Sequence, residues 1–169
     1  MGDLNMLTRL ENAQKNWGGA HSAIDNWLEE RKTMLVLYCQ LSGVKTQSNP
    51  NQLSLPSKED IQQFCQIMLD YLSAGHFEVY EQIISQCGIK REEGKALAEK
   101  IFPEINATTQ VCLSFNDKYA EANSEEAYES FDQDLSTLGE ALEERFELED
   151  QLIGTMFETE IVSAGQAAQ

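Results

Sequence analysis

DYLSAGHFEVYEQI, residues 70–83, is the stretch from which the fold can be read. It continues an apolar stripe, Ile61, Cys65, Met68, Leu72, His76, Val79 and Ile83, whose spacing is that of one helix face. A second stripe, Ile67, Asp70, Ala74 and Phe77, runs beside it. His76 and Asp70 thus fall where a packing helix would carry aliphatic residues. A buried carboxylate without a partner is costly, so Asp70 on an inward face predicts a polar cavity. Gly75, in the middle of the helix, costs about 1 kcal/mol relative to alanine and predicts a kink or a close backbone approach.

Outward from this segment the helical period persists, and no period-two runs bounded by hairpin signals occur. A short first helix is expected over Asp3 to Lys15, ended at Trp17-Gly18-Gly19. Ser22 can cap a second, with Ile24, Trp27, Leu28, Arg31, Leu35, Tyr38 and Leu41 inward and a stop near Gly43. Lys45 to Pro56 is polar with two prolines and reads as a loop, after which Ser57 caps the helix already described. A further helix is expected from about Glu92, with Leu97, Ile101, Ile105, Val111, Phe115 and Tyr119 inward and Pro103 bending or breaking it. The last runs from Ser124 to roughly Glu160 on the stripe Leu135, Leu138, Leu142, Phe146, Glu149, Ile153 and Met156. These elements predict an all-α, up-down helical bundle of about four long helices plus a short N-terminal one. A single domain over residues 1–161 and a disordered tail over 162–169 are expected.

Arg31 and Glu149 also fall on inward faces, and Arg145 lies one turn before Glu149 and can pair with it. With Asp70 and His76, this places polar groups on three helices and predicts a polar cleft between them.

The formal charge of −17 is uneven. Residues 1–116 carry 14 acids and 10 bases, whereas residues 117–169 carry 15 acids and two bases. Phosphate contacts need clustered Lys and Arg, so direct DNA binding is not expected and a basic protein partner is favoured. The longest apolar run, Met34 to Cys39, is too short to span a membrane, and the start has neither a signal peptide's succession nor a myristoylation signal. A cytoplasmic protein is therefore expected. Cys39, Cys65, Cys87 and Cys112 form no Cys-x-x-Cys pair and read as reduced structural thiols, with no metal or other cofactor called for.

Four blocks carry a resemblance: AIDNWLEERKTMLVLYCQLSGVK at 23–45, DYLSAGHFEVYEQI at 70–83, IFPEINATTQ at 101–110 and GEALEERFELEDQLI at 139–153. Together they resemble the Rsd/AlgQ family of bacterial anti-sigma regulators over about residues 5 to 160. The 45–57 loop, the EANSEEAYESFDQD run and the tail depart from it. The resemblance implies a non-enzymatic helical bundle, acting in the cytoplasm in stationary phase. Its partner would be region 4 of the primary sigma factor, whose −35 promoter and core RNA polymerase contacts it would block. Asp70 and Glu149 or Asp150 would then accept hydrogen bonds from the partner's cations. Trp27, Tyr71, Phe77 and Tyr80 would be apolar anchors, and Arg31, His76, Glu140 and Arg145 would orient the polar surface. Weak self-association through the same acidic cleft is a further expectation.

Two other classes compete. A histidine phosphotransfer bundle needs an exposed His with Lys three residues on and Gly next, but those positions hold Val79 and Tyr80 after His76, and Ile24 and Asp25 after His21. A carboxylate-bridged di-metal enzyme needs Glu-x-x-His pairs, and none occurs in the chain. An acidic solubility module or DNA mimic would leave the inward polar residues unexplained.

Overall fold

The computed structural model describes residues 6–8, 10–11, 22–43, 56–76, 91–121 and 125–167, the side chains of 91–94, 125, 127 and 155–167 excepted. The expected positions Phe77, Val79, Tyr80, Ile83, Cys87 and Met156, and most of the 45–56 loop, lie outside these residues or side chains. Four long helices carry the fold: α1 (Ser22–Leu41), α2 (Lys58–Ala74), α3 (Arg91–Tyr119) and α4 (Phe131–Ala167). A 3₁₀ turn, Glu125–Tyr128, precedes α4. Before α1, residues 6–8 and 10–11 are helical, and Met6 and Leu10, one turn apart, join the core.

Local chemistry sets the helix ends. The Ser57 side chain accepts from the Asp60 amide at 3.1 Å, satisfying one of α2's orphan N–H groups. Beyond α1, Ser42 N–H bonds the Tyr38 carbonyl and Gly43 takes φ 81°, a left-handed residue that stops the helix where its sequence places the stop. The last long helix does not begin at Ser124 as expected: the chain makes the 3₁₀ turn first and α4 starts at Phe131. Phe131 is fully buried against Phe115 and Tyr119, and inserting it between them fixes the entry of α4. At the other end the α4 backbone stays helical to Ala167, past the expected end near Glu160. Pro103 does not break α3, which runs unbroken from Arg91 to Tyr119. Both Pro103 and Glu99, whose carbonyl loses its intrahelical donor, are exposed, so water can satisfy the freed group.

Contacts between helices fix an up-down-up-down order. Trp27 meets Tyr71 and Tyr38 meets Phe64, so α1 and α2 are antiparallel. Gln62 donates to the Ala120 carbonyl at 3.0 Å and Phe64 packs edge-on to Phe115, so α2 and α3 are antiparallel too. Arg145 reaches Thr108 while Phe131 meets Tyr119, which turns α4 against α3. Tyr38 closes the ring by donating to the Leu135 carbonyl at 3.0 Å.

The core follows the expected spacing at Ile61, Cys65, Met68 and Leu72 on α2 and at Leu135, Leu138, Leu142, Phe146 and Ile153 on α4, while Phe64 and Tyr71, on neither expected stripe of α2, are buried beside them. Each such aliphatic or aromatic side chain stabilises the fold by about 1.5–3 kcal/mol relative to exposure. Cys65 and Cys112 are buried in it, and that burial raises both thiols to about 11, which keeps them protonated and unreactive.

Candidate functional site

The polar residues expected inside the bundle divide in two. Arg31, Arg145 and Glu149 are buried, at 0%, 2% and 0% exposure. Asp70 and His76 are not: both are exposed, which corrects their inward placement. For Asp70 the reason is position, since it sits on the outer side of Tyr71 and accepts from Gln66 one turn back at 3.1 Å. His76 lies one turn past Leu72, at the margin of the buried face, where its side chain is exposed at the mouth of a cleft.

The buried groups form one network through Tyr71. Arg31 Nε donates to the Tyr71 hydroxyl at 2.9 Å, and that hydroxyl donates to Glu149 Oε1 at 2.6 Å. Arg31 Nη2 stands 3.5 Å from the same Oε1, and Arg31 Nη1 donates to Asp150 Oδ1 at 3.0 Å. Arg145 Nε pairs with the other carboxylate oxygen of Glu149 at 3.2 Å, and its Nη1 donates to Thr109 Oγ1 at 2.7 Å and Thr108 Oγ1 at 3.2 Å. All four helices thus hold one carboxylate between two guanidinium groups. Burial opposes the charge on Arg31, but Tyr71, Asp150 and Glu149 outweigh it and hold its pKa above the ordinary value.

Aromatic rings enclose the network. The Arg31 guanidinium lies 4.6 Å from the Phe146 ring centre and 5.3 Å from that of Trp27. Trp27 stacks on Tyr71 at 5.1 Å with 6° between planes, and Phe146 meets Tyr71 edge-on at 5.9 Å. Trp27 and Tyr71 are therefore core residues, not exposed anchors. Glu149, both oxygens engaged with the chain's own groups, is likewise withdrawn from a partner.

On the surface, Asp150 keeps 17% of its side chain accessible while bonding Arg31, so the network reaches solvent there. Asp70, His76 and Asp150 lie at the level of the network. Glu140 is exposed but ten residues earlier on α4, about 15 Å along the axis. His76 itself lines a cleft of about 1000 Å³ together with Leu72, Phe102, Ile105, Thr109 and Arg145 among others. Trp27, Tyr71 and Phe146 were singled out from sequence as anchors or core but not as an enclosure for Arg31, and the two threonines under Arg145 were not singled out. The i, i+4 spacing of Arg145 and Glu149 was the available signal for the first pair.

Chemically the network is a fixed-charge tie. The exposure of His76 meets one requirement of a phosphotransfer histidine, but Val79 and Tyr80 still occupy the positions of its Lys and Gly. Among the described residues no group of three or more His, Cys, Asp or Glu side chains could hold a metal ion, and guanidinium groups occupy the surroundings of Glu149. No described helix is long and apolar enough to cross a membrane.

Residues 6–157 match the family model described as "Regulator of RNA polymerase sigma(70) subunit, Rsd/AlgQ". Curated relatives named "Regulator of sigma D" are similar over most of their length. That of Yersinia enterocolitica is 37% identical over 167 residues, covering 95% of this chain and 99% of the relative. That of Yersinia pseudotuberculosis is 38% identical over 149 residues, covering 88% and 87%. That of Pectobacterium atrosepticum is 38% identical over 154 residues, covering 90% and 99%. A bundle tied at its centre by Arg31, Tyr71, Glu149 and Arg145 thus joins a match that spans nearly the whole chain, and the protein belongs to the Rsd/AlgQ family of regulators of the RNA polymerase sigma(70) subunit.

Proposed function

We propose that the protein is a cytoplasmic anti-sigma factor. It binds region 4 of the primary sigma factor, masks the surfaces that meet the −35 promoter element and core RNA polymerase, and so regulates transcription. The observation that carries this reading is the family match over residues 6–157. The family's role is regulatory and not enzymatic.

The surface agrees with a basic partner. Asp70 is exposed on α2, Asp150 is half-buried on α4, and Glu140, Glu144 and Glu147 line the outer face of α4. A partner's Arg or Lys can reach these carboxylates, and complementary charge speeds encounter. Arg31, Tyr71, Arg145, Glu149 and Trp27 act behind them by holding the helices in register. Phe77 and Tyr80 remain the proposed apolar anchors. With −17 overall, the protein would not bind DNA itself.

Calorimetric titration with purified region 4 of the cognate primary sigma factor, repeated at higher salt, tests the proposal. One-to-one binding that weakens with salt is expected. The Asp70→Ala variant should keep its helix content and bind several-fold more weakly. Absence of binding at several temperatures, with both proteins folded, would overturn the reading. Unchanged affinity in Asp70→Ala would remove Asp70 from the interface. Sedimentation of the free protein over a concentration series tests the proposed weak self-association.

A further inference from the structure

The cleft that His76 lines is built by α2 and α3, with Arg145 of α4 as its base, and neither Asp70 nor Asp150 lines it. Its volume of about 1000 Å³ is at the upper end of the range for small-molecule sites, about 300–1000 Å³. Leu72, Phe102, Ile105 and Leu113 make the walls largely apolar. Arg145, 2% exposed, is the cation in it, and its guanidinium is fixed from two sides, by Glu149 at Nε and by Thr108 and Thr109 at Nη1. A cation already immobilised at the base of an apolar cleft binds an anion without the cost of ordering a long side chain. Its charge is only partly offset, because Glu149 divides its carboxylate between Arg145 and Arg31. Glu99 is the one carboxylate that lines the cleft among the described residues, and it stands ten positions before Thr109 on α3, about 15 Å along the axis. At that distance, as for most of the chain's −17 charge, salt screens its repulsion of an anion held at Arg145. No lysine and no second arginine line the cleft among the described residues, so its charge suits a single carboxylate better than a phosphate dianion.

We propose that this cleft is a binding site for a small amphipathic monocarboxylate, its head group at Arg145 and its apolar body along Leu72 and Phe102. The planar guanidinium matches a carboxylate, and the imidazole of His76 and the amide of Gln110, both in the lining, can donate beside it. Phe102 lies seven residues before Thr109 on α3, about 10 Å along the axis, which gives an alkyl chain or ring system a length of apolar wall to cover. The incoming carboxylate shares Arg145 with Glu149, and Glu149 keeps its contact with Arg31. Because Asp70 and Asp150 lie outside the cleft, the site is independent of the anti-sigma reading.

Decanoate is the probe, titrated calorimetrically into the whole chain without any partner, below its micellar concentration and in about 0.1 M salt. One-to-one binding is expected, about tenfold tighter than that of decanol, which lacks the charge. It should also be about tenfold or more tighter than that of hexanoate, which has less apolar surface to bury. Arg145→Gln would loosen the tie between the helices, so the charge is varied at Gln110, which is exposed in the lining. Gln110→Glu should weaken decanoate several-fold and Gln110→Lys should tighten it, with helix content unchanged, while decanol binds all three proteins alike. If decanol or hexanoate binds as tightly as decanoate, the cleft does not recognise an amphipathic carboxylate. Absence of binding, uptake of several decanoates per chain without saturation, or Gln110 variants indistinguishable from the parent would likewise overturn the proposal.

Discussion

Where Trp27, Tyr71 and Glu149 meet, the bundle shuts four charged side chains against aromatic rings. At the other end, Phe64, Phe115, Tyr119 and Phe131 fill the interior with rings at 5–6 Å spacings, and the Lys118–Asp134 pair stands on the surface. Both ends are dense, but they specify structure differently. A ring can be replaced by another apolar group of similar volume, because dispersion and area are not directional. A carboxylate shared by two guanidinium groups and a phenol accepts only one register of four helices. The charged end defines how the helices meet, and the aromatic end supplies burial.

Near-isosteric substitutions should break this symmetry most visibly. Glu149→Gln keeps the shape and leaves Arg31 and Arg145 without their shared anion, so denaturant unfolding should show a loss of about 3–5 kcal/mol. A loss under 1 kcal/mol would mean that water or rearrangement compensates the buried cations. Gly139→Ala, at the α1–α4 contact between the ends, drives a Cβ into the Tyr38 hydroxyl and should cost about 1–3 kcal/mol. Part of that cost should be recovered in a Tyr38→Phe background, where the clashing oxygen is gone and alanine's helix preference adds about 0.5–1 kcal/mol. Phe131→Leu, the corresponding swap at the aromatic end, should cost less than about 1.5 kcal/mol.

The smallest effect belongs to the surface pair. Hydrogen bonds from Lys118 at 2.7 Å and from Tyr119 hold the Asp134 carboxyl below the usual carboxylate range. Burial first, and Asp134 second, pushes the Tyr119 hydroxyl up, so it stays a donor. A carboxyl depressed on folding stabilises the native state above its unfolded value and loses that contribution as pH falls through the lower folded value. Asp134→Asn should therefore lower stability by at most about 1 kcal/mol at neutral pH, with the gap closing as pH falls below about 4. Thermal melts of both proteins from pH 7 to pH 2 would show it; a gap that widened on acidification would contradict the assignment.

How much of this could be read from residue order depends on whether the helical period held. On α1, and on α4 as far as Ile153, it held: Trp27, Arg31 and Tyr38, and Phe146, Glu149 and Ile153, are all buried as their spacing predicts. On α2 it held as far as Leu72, and His76, one turn further at the margin of the buried face, is exposed at the cleft that Leu72 also lines. Gly75 was legible as a close approach, and the approaching group proved to be Trp27, 48 positions earlier, which no local pattern identifies. Asp70 was misplaced for a simpler reason, since a second stripe offset by two residues falls at the margin of the buried face, where Ile67 and Ala74 are half-covered and Asp70 is open. The pairing of Arg145 with Glu149 was legible because i, i+4 neighbours on a helix must meet. Their capture by Tyr71 and Arg31 was not, because it depends on how helices distant in sequence are oriented.

The network has one further consequence. Arg31 and Arg145 are offset by Glu149 and Asp150, so these four residues sum to no net charge, and the whole −17 belongs to the rest of the chain. Mobile ions act strongly on exposed charges and weakly on buried ones. The protein's outward field and its internal tie are therefore governed by different variables: ionic strength tunes how strongly the molecule attracts cationic neighbours, while the alignment of its helices stays largely indifferent to it.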